Sequence, residues 1–309
     1  MVRTVIGSII VLLTMAANVF ASPADSLYAD TAATISIRDS AFVASENANW
    51  RPGPFDMITN LPGDWWKWTK QTFTVEQLPV IAGIGALTAI TIATDYESWQ
   101  FTKRPYDYNK TYRDANDFFA YLGDGKVQFG VAAAFAGYGF IASDSRAIRT
   151  ASQTVEVILA CGGVVQLLKH ITGRESPFVA TTPTGAWRFF PNQLEYAKHV
   201  PHYDAFPSGH VATCLATLTV IAENYPEVPL IKYIGYPVIA AVATGLVGTS
   251  IHWWSDIPLG VALGYSFGRL VAHPDVEPTM ATPGKVKTSM GLNVRPIDGA
   301  PMLSFAMTW

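Results

Sequence analysis

Charge is what this sequence holds least of. Asp, Glu, Lys and Arg make up 15% of its 309 residues, and the formal net charge is −3. Without a basic excess there is no face to neutralise a phosphodiester backbone, which argues against nucleic acid as a partner. Cysteine is almost missing too: Cys161 and Cys214 are the only two, both inside apolar runs. Neither stands in a metal-ligand spacing, and no Asp/Glu cluster offers a set of oxygen ligands, so no metal or other cofactor is expected. The two thiols either pair, as an exported chain permits, or stay buried and free, which is the preferred reading. Internal repeats and low-complexity tracts are also lacking.

Apolar residues fill the space that charge leaves. They make up 50% of the chain, and the mean hydropathy is positive, where soluble proteins usually fall below zero; this points toward a membrane. The first 21 residues read as a secretory signal. Arg3 gives the positive start, Val5 to Met15 the apolar core, and Val19-Phe20-Ala21 a small-x-small cleavage site. The alternative is an uncleaved anchor helix, and on either reading the chain is exported to a bacterial-type cell envelope. It would lie there in a membrane with a periplasm-facing site, or as a soluble periplasmic protein.

Residues 22–75 form an irregular arm, broken by Pro52, Pro54 and Pro62. Trp65, Trp66 and Trp68 beside Lys67 and Lys70 suit either an interfacial belt or packing under a loop. Six apolar segments follow: Leu78–Thr94, Val127–Ser143, Thr154–Leu168, Val211–Ala222, Leu230–Ile251 and Ile257–Ala272. Too long for strands, they predict an all-α bundle of about six apolar helices. Only the first and fifth approach the ~20 residues that span a bilayer, so the bundle is either transmembrane or buried inside a soluble domain. The helical domain is expected over 76–273. The tail 274–309 alternates weakly around Asp298-Gly299, a hairpin signal.

Chemistry concentrates at the ends of three consecutive segments. Lys169 to Pro177 carries Lys169 and Arg174 out of one run, Pro207-Ser208-Gly209-His210 opens the next, and His252 to Asp256 lies at a later boundary. A proline followed by small residues leaves N–H groups unpaired at a helix start, where they and the helix dipole favour an anion such as phosphate. His252 and Asp256, four apart, meet on one face of a helical turn, so the carboxylate can take the Nδ1 proton and make the far nitrogen a better nucleophile.

These residues resemble the type 2 phosphatidic acid phosphatase family, which shares its site with class A acid phosphatases and vanadium haloperoxidases. The family pattern is Lys-x6-Arg-Pro, then Pro-Ser-Gly-His, then Ser-Arg-x5-His-x3-Asp. Lys169, Pro177, Pro207 to His210, His252 and Asp256 match it in order and spacing, and the resemblance covers roughly 78–272. It implies a metal-independent hydrolase of a phosphorylated lipid or other phosphate ester. His252 would be the nucleophile, Asp256 its orienter and His210 the acid. Lys169 and the N–H groups of Ser208 and Gly209 would bind phosphate. Both phosphate-gripping arginines of the pattern are absent, since their places hold Ser176 and Leu246. Arg174 and Arg188 are the candidates to replace them. A non-catalytic relative and a broad-specificity soluble acid phosphatase are the rival readings.

Overall fold

The structure, a computed structural model, describes residues 51–273 and the backbone of 289–297 and 300–308. The signal sequence and most of the expected arm lie outside the described residues. Between 51 and 273 the regular elements are helical. Two short N-terminal helices, α1 (Asp56–Thr59) and α2 (Leu61–Thr72), precede the apolar α3 (Leu78–Ile92). Two polar helices follow, α4 (Asp95–Tyr108) and α5 (Lys110–Leu122), neither of which holds an apolar run. Next come α6 (Gly125–Ala142), the long α7 (Ser145–Thr172), the small α8 (Gln193–Lys198), α9 (Gly209–Asn224), α10 (Leu230–Gly248) and α11 (Ile257–Ala272). All six expected apolar segments are therefore helices. The third extends well beyond its apolar stretch, because Asp144 accepts the Ala147 N–H at its start and Gly173 closes it in the left-handed region.

By length and composition, three stretches among the described residues suit a membrane span: Val75–Ile92, Ser145–Thr172 and Leu230–Gly248. The extension of α7 to 28 residues adds the one that the sequence had appeared too short for. Both cysteines are free. Of the three tryptophans on α2, two are packing residues. Trp65 Nε1 donates to the Ala160 carbonyl, and Trp68 Nε1 donates to Ser266 Oγ while its ring stacks on Phe267. Trp66 stays exposed, with the Lys70 ammonium over its ring.

The core sits on both sides of α9. Ala212, Ala216 and Val220 pack with Val157, Cys161 and Val165 of α7 and with Leu263 and Phe267 of α11. Val211 and Leu215 pack on Val242, Ala243 and Leu246 of α10. Helix 9 is thus the buried axis, and what happens at its first turn is set from every side.

Glycine lets α11 come close to it. A Cβ on Gly264 would stand 2.3 Å from the Ala212 carbonyl oxygen, and one on Gly260 would stand 2.8 Å from that of Ser208. Gly264→Ala gains about 1 kcal/mol of helix propensity but drives α11 off a backbone atom that cannot rotate aside, and overpacking costs about 1–3 kcal/mol. The expected net result is a lower thermal unfolding midpoint; a midpoint unchanged or raised would show that the two helices are not held this tightly.

The chain separates at His273 and Pro274 into two units. In the second, the alternation around Asp298-Gly299 corresponds to two antiparallel strands, β1 (Ser289–Ile297) and β2 (Ala300–Thr308), paired from Ser289 opposite Thr308 to Ile297 opposite Ala300.

Candidate functional site

Three chain ends meet at the start of α9. The first is the C-terminus of α7. Gly173 there has φ +53°, and a Cβ would lie 2.1 Å from the Arg188 carbonyl oxygen, so only glycine fits. Just before this turn, Thr172 Oγ1 donates to the Phe206 carbonyl and fastens α7 to the segment entering α9. Lys169, buried on the last turn of α7, points its ammonium past α9, 3.5 Å from Asp204 Oδ2 and 3.8 Å from where a Cβ on Gly209 would be. The structure thereby places a cation beside the Ser-Gly-His turn.

The second is the turn itself, entered through a cis Phe206-Pro207 peptide. Ser208 caps α9, its hydroxyl accepting from Val211 N–H. Its own N–H donates to the Asp256 carbonyl, at 3.0 Å. That removes one of the two expected phosphate donors: Ser208 N–H joins the turn to the third cluster instead of facing a ligand. The N–H groups of Gly209 and His210 have no acceptor among the described residues. The unpaired N–H groups at this helix start are therefore those of Gly209 and His210.

The third is His252 to Asp256, reached after α10. His252 is 1% exposed. Its Nδ1 lies 2.8 Å from the Ala205 carbonyl oxygen and 3.4 Å from Asp256 Oδ2. Both neighbours only accept at neutral pH, so Nδ1 must carry the proton and Nε2 the lone pair. The expected Asp256 contact exists, but the carbonyl from 47 residues away is the nearer partner. Asp256 is engaged elsewhere, Oδ2 taking the Trp253 N–H at 2.7 Å and Oδ1 an Arg174 nitrogen at 2.5 Å.

The lone-pair nitrogen of His252 faces His210. Its Nε2 is 3.3 Å from His210 Nδ1, and the ring centroids are 5.5 Å apart. The rings touch, so an anion reaches His252 Nε2 only by breaking this contact. Burial lowers the His252 pKa to about 3, helped by nearby Lys169. Burial likewise lowers that of His210 to about 3, with the neighbouring His252 and Lys169 adding to it. Both imidazoles are neutral at pH 7. Burial pushes the Asp256 carboxyl the other way, up to about 6 against the pull of Arg174, so it remains largely ionised there. Among the described residues no group of three or more His, Cys, Asp or Glu side chains is placed to hold a metal ion.

Two neutral histidines in contact, a carboxylate behind one and a lysine beside both, stand where the three motifs converge. Residues 151–275 match the PAP2 superfamily. No curated protein matches the chain. A solved structure that resembles it is the crystal structure of a transmembrane PAP2 type phosphatidylglycerolphosphate phosphatase from Bacillus subtilis. The identity is 13%, the match covers 72% of this chain and 96% of that one, and the TM-score is 0.40.

In the matched segment the two candidate arginines, Arg174 and Arg188, hold acceptors of the protein itself. Arg174 turns inward and is fully buried. Its Nε donates to the Thr184 carbonyl, Nη1 to Ser255 Oγ and Asp256 Oδ1, and Nη2 to Asp95 Oδ2 and the Thr184 carbonyl. Its five N–H groups make five contacts with four acceptor atoms of the protein, so none is left for phosphate. The plane lies against Trp187, 4.7 Å from its centroid. Arg188 pairs with Glu175 at 2.7 Å and donates to the His202 carbonyl. Glu175 in turn accepts the N–H groups of Thr181 and Ala186, so this ion pair ties down the loop. At the pattern positions, Ser176 is buried with its N–H on the Pro201 carbonyl, and Leu246 fills the apolar cluster beside α9.

Sequence reasoning missed Asp95, Ser255 and the Ala205 carbonyl. Ser255 stands next to Asp256, and Ala205 two residues before Pro207. Asp95 carries no local signal, being one acidic residue at the start of a polar helix.

Proposed function

We propose that this chain is a metal-independent phosphatase that takes phosphate from a lipid by way of a phosphohistidine on His252. The observation that supports it best is the 3.3 Å approach of His210 Nδ1 to a His252 Nε2 whose lone pair is fixed by its neighbours. A phosphate group entering between the rings would be held by Lys169 and the N–H groups of Gly209 and His210. Its negative charge raises the His210 pKa, so this ring takes up a proton as substrate binds. His252 Nε2 attacks phosphorus, the N–P bond forms as the P–O bond to the lipid breaks, and His210 gives its proton to the departing oxygen. Neutral His210 then draws a proton from water, which attacks phosphorus, releases inorganic phosphate and returns the electron pair to Nε2. Asp256 holds the imidazolium that forms meanwhile.

Three helices of membrane-spanning length and composition support a lipid substrate. So do large apolar side chains on outer surfaces, among them Phe140 and Ile141 of α6 and Tyr233 and Ile234 of α10. With the leader read over 1–21, the site would face the periplasm, and 76–273 would be the catalytic domain with the tail an appendage. Purified protein with EDTA present should release inorganic phosphate from phosphatidate or a polyprenyl pyrophosphate in mixed micelles.

A second reading is a relative that binds phosphate without turning it over. It is favoured by Ser176, Leu246 and the commitment of every Arg174 donor to the protein. Tight orthovanadate binding with no phosphate release from any lipid tested would decide for it.

A further inference from the structure

The pattern that carries the site begins at Lys169, yet a side chain from far upstream is built into it. Asp95, the first residue of α4, is fully buried. Its Oδ2 accepts from Arg174 Nη2 at 2.7 Å and from Ser255 Oγ at 2.5 Å, and its Oδ1 accepts the Ser255 N–H at 3.1 Å. Arg174 reaches from there to Asp256, which lies 3.4 Å from His252 Nδ1. The series Asp95, Arg174, Asp256, His252 is continuous. It lies outside the matched segment only at Asp95.

The charge count of this series is unusual. Two ionised carboxylates surround one guanidinium, so a net charge of −1 is buried where a simple Arg174–Asp256 pair would be neutral. Lys169, the buried cation beside the histidines, also acts on Asp256, but burying a second carboxylate on the same guanidinium is costly and needs a reason. A reason lies 3.4 Å away, in a ring that must become positive when it is phosphorylated. Were Arg174 paired with Asp256 alone, its cation would cancel the carboxylate, and the ring would face a neutral couple. Asp95 occupies the other edge of the guanidinium and draws that charge toward itself.

Resting on the phosphatase reading, we propose that Asp95 is a positioning residue of the site: it neutralises and orients Arg174 so that the Asp256 carboxylate keeps its charge for His252. The remote aspartate acts through two intermediaries and never meets substrate. Asp95 carries out in this chain an electrostatic task that no residue of the three motifs performs.

The idea is tested in the full-length chain with Asp95→Asn, Arg174→Gln and the two combined. Asp95→Asn brings the cluster to zero charge. It should lower kcat on a lipid phosphate about 10-fold or more while KM stays within about threefold, since the ring's developing charge is a transition-state feature. It should also weaken orthovanadate binding, which needs the same polarised Nε2, by a similar factor. The combined variant returns the cluster to −1, so its kcat and vanadate affinity should recover at least threefold over Asp95→Asn, where a merely structural role makes it worse than either single change. Failure to recover, or an Asp95→Asn protein with wild-type kcat and vanadate affinity, overturns the proposal. If the combined variant loses cooperative unfolding, the isosteric single change decides on its own by the same split. Wild type that binds vanadate but releases no phosphate sinks the phosphatase reading while the vanadate series still judges Asp95. Wild type that binds no vanadate overturns both.

Discussion

His252→Ala is expected to reduce phosphate release from a lipid phosphate by on the order of 10⁴-fold or more, since removing a nucleophile removes the covalent route altogether. The comparison with His210→Ala is what makes the result informative. A general acid contributes about 10²–10⁴-fold, so the second variant should retain measurable turnover and should do best on substrates with acidic leaving groups. Two further details belong to the same expectation. The wild-type protein should trap an acid-labile phosphoryl group that His252→Ala does not, and EDTA should leave wild-type release unchanged. Release by His252→Ala within tenfold of wild type would assign the nucleophile elsewhere. The expectation rests on the proton inventory at this ring: Ala205 and Asp256 both accept, so the nitrogen aimed at His210 is the unprotonated one.

The second large effect is on stability. Arg174→Gln should cost about 3–5 kcal/mol, the amount typical of removing one partner from a buried ion pair. It leaves Asp95 and Asp256 facing each other with no cation between them. Both carboxyls are already raised to about 6, burial pushing up against the pull of Arg174. Without the guanidinium they rise further, and an acid that is harder to ionise in the fold than in the open chain destabilises the fold wherever it must be ionised. The deficit is therefore full at alkaline pH, shrinks as the pH falls through the variant's further-raised pKa, and levels off below about 6, where the wild-type pair takes up protons as well. Chemical denaturation of wild type and variant across that range measures it. A phosphate-gripping arginine behaves differently, with a deficit in KM and kcat and an unaltered, pH-independent stability. Equal stability of the two proteins at pH 8 would return Arg174 to the substrate.

The helices and the motif residues were legible in the chain because each rests on neighbours in sequence. Apolar runs of 12 residues or more can only be helices in a bundle of this kind, and Pro207 to His210 can only open one. His252 and Asp256 are four apart, so their approach was local information. What could not be read was the direction of side chains that leave the helices. Arg174 looked free to lean toward phosphate, yet it follows the left-handed turn at Gly173, where the Arg188 carbonyl leaves no room for a side chain, and it lies inside the protein. Ser208 N–H looked free as well, and it is taken by a carbonyl of a segment 48 residues later. The polar α4 and α5 leave no apolar run in the sequence, so nothing there marks them, or Asp95 at the start of α4.

By itself, then, the order of residues determined that helices form, where they begin, and which two histidines and one lysine lie at their ends. Only the packed structure decided which of the remaining polar groups bond to one another. The physical reason is reach. Hydrophobic period and helix capping act over four or five residues, whereas a buried charge takes whatever counter-charge the fold sets beside it, here across the 79 residues between Asp95 and Arg174.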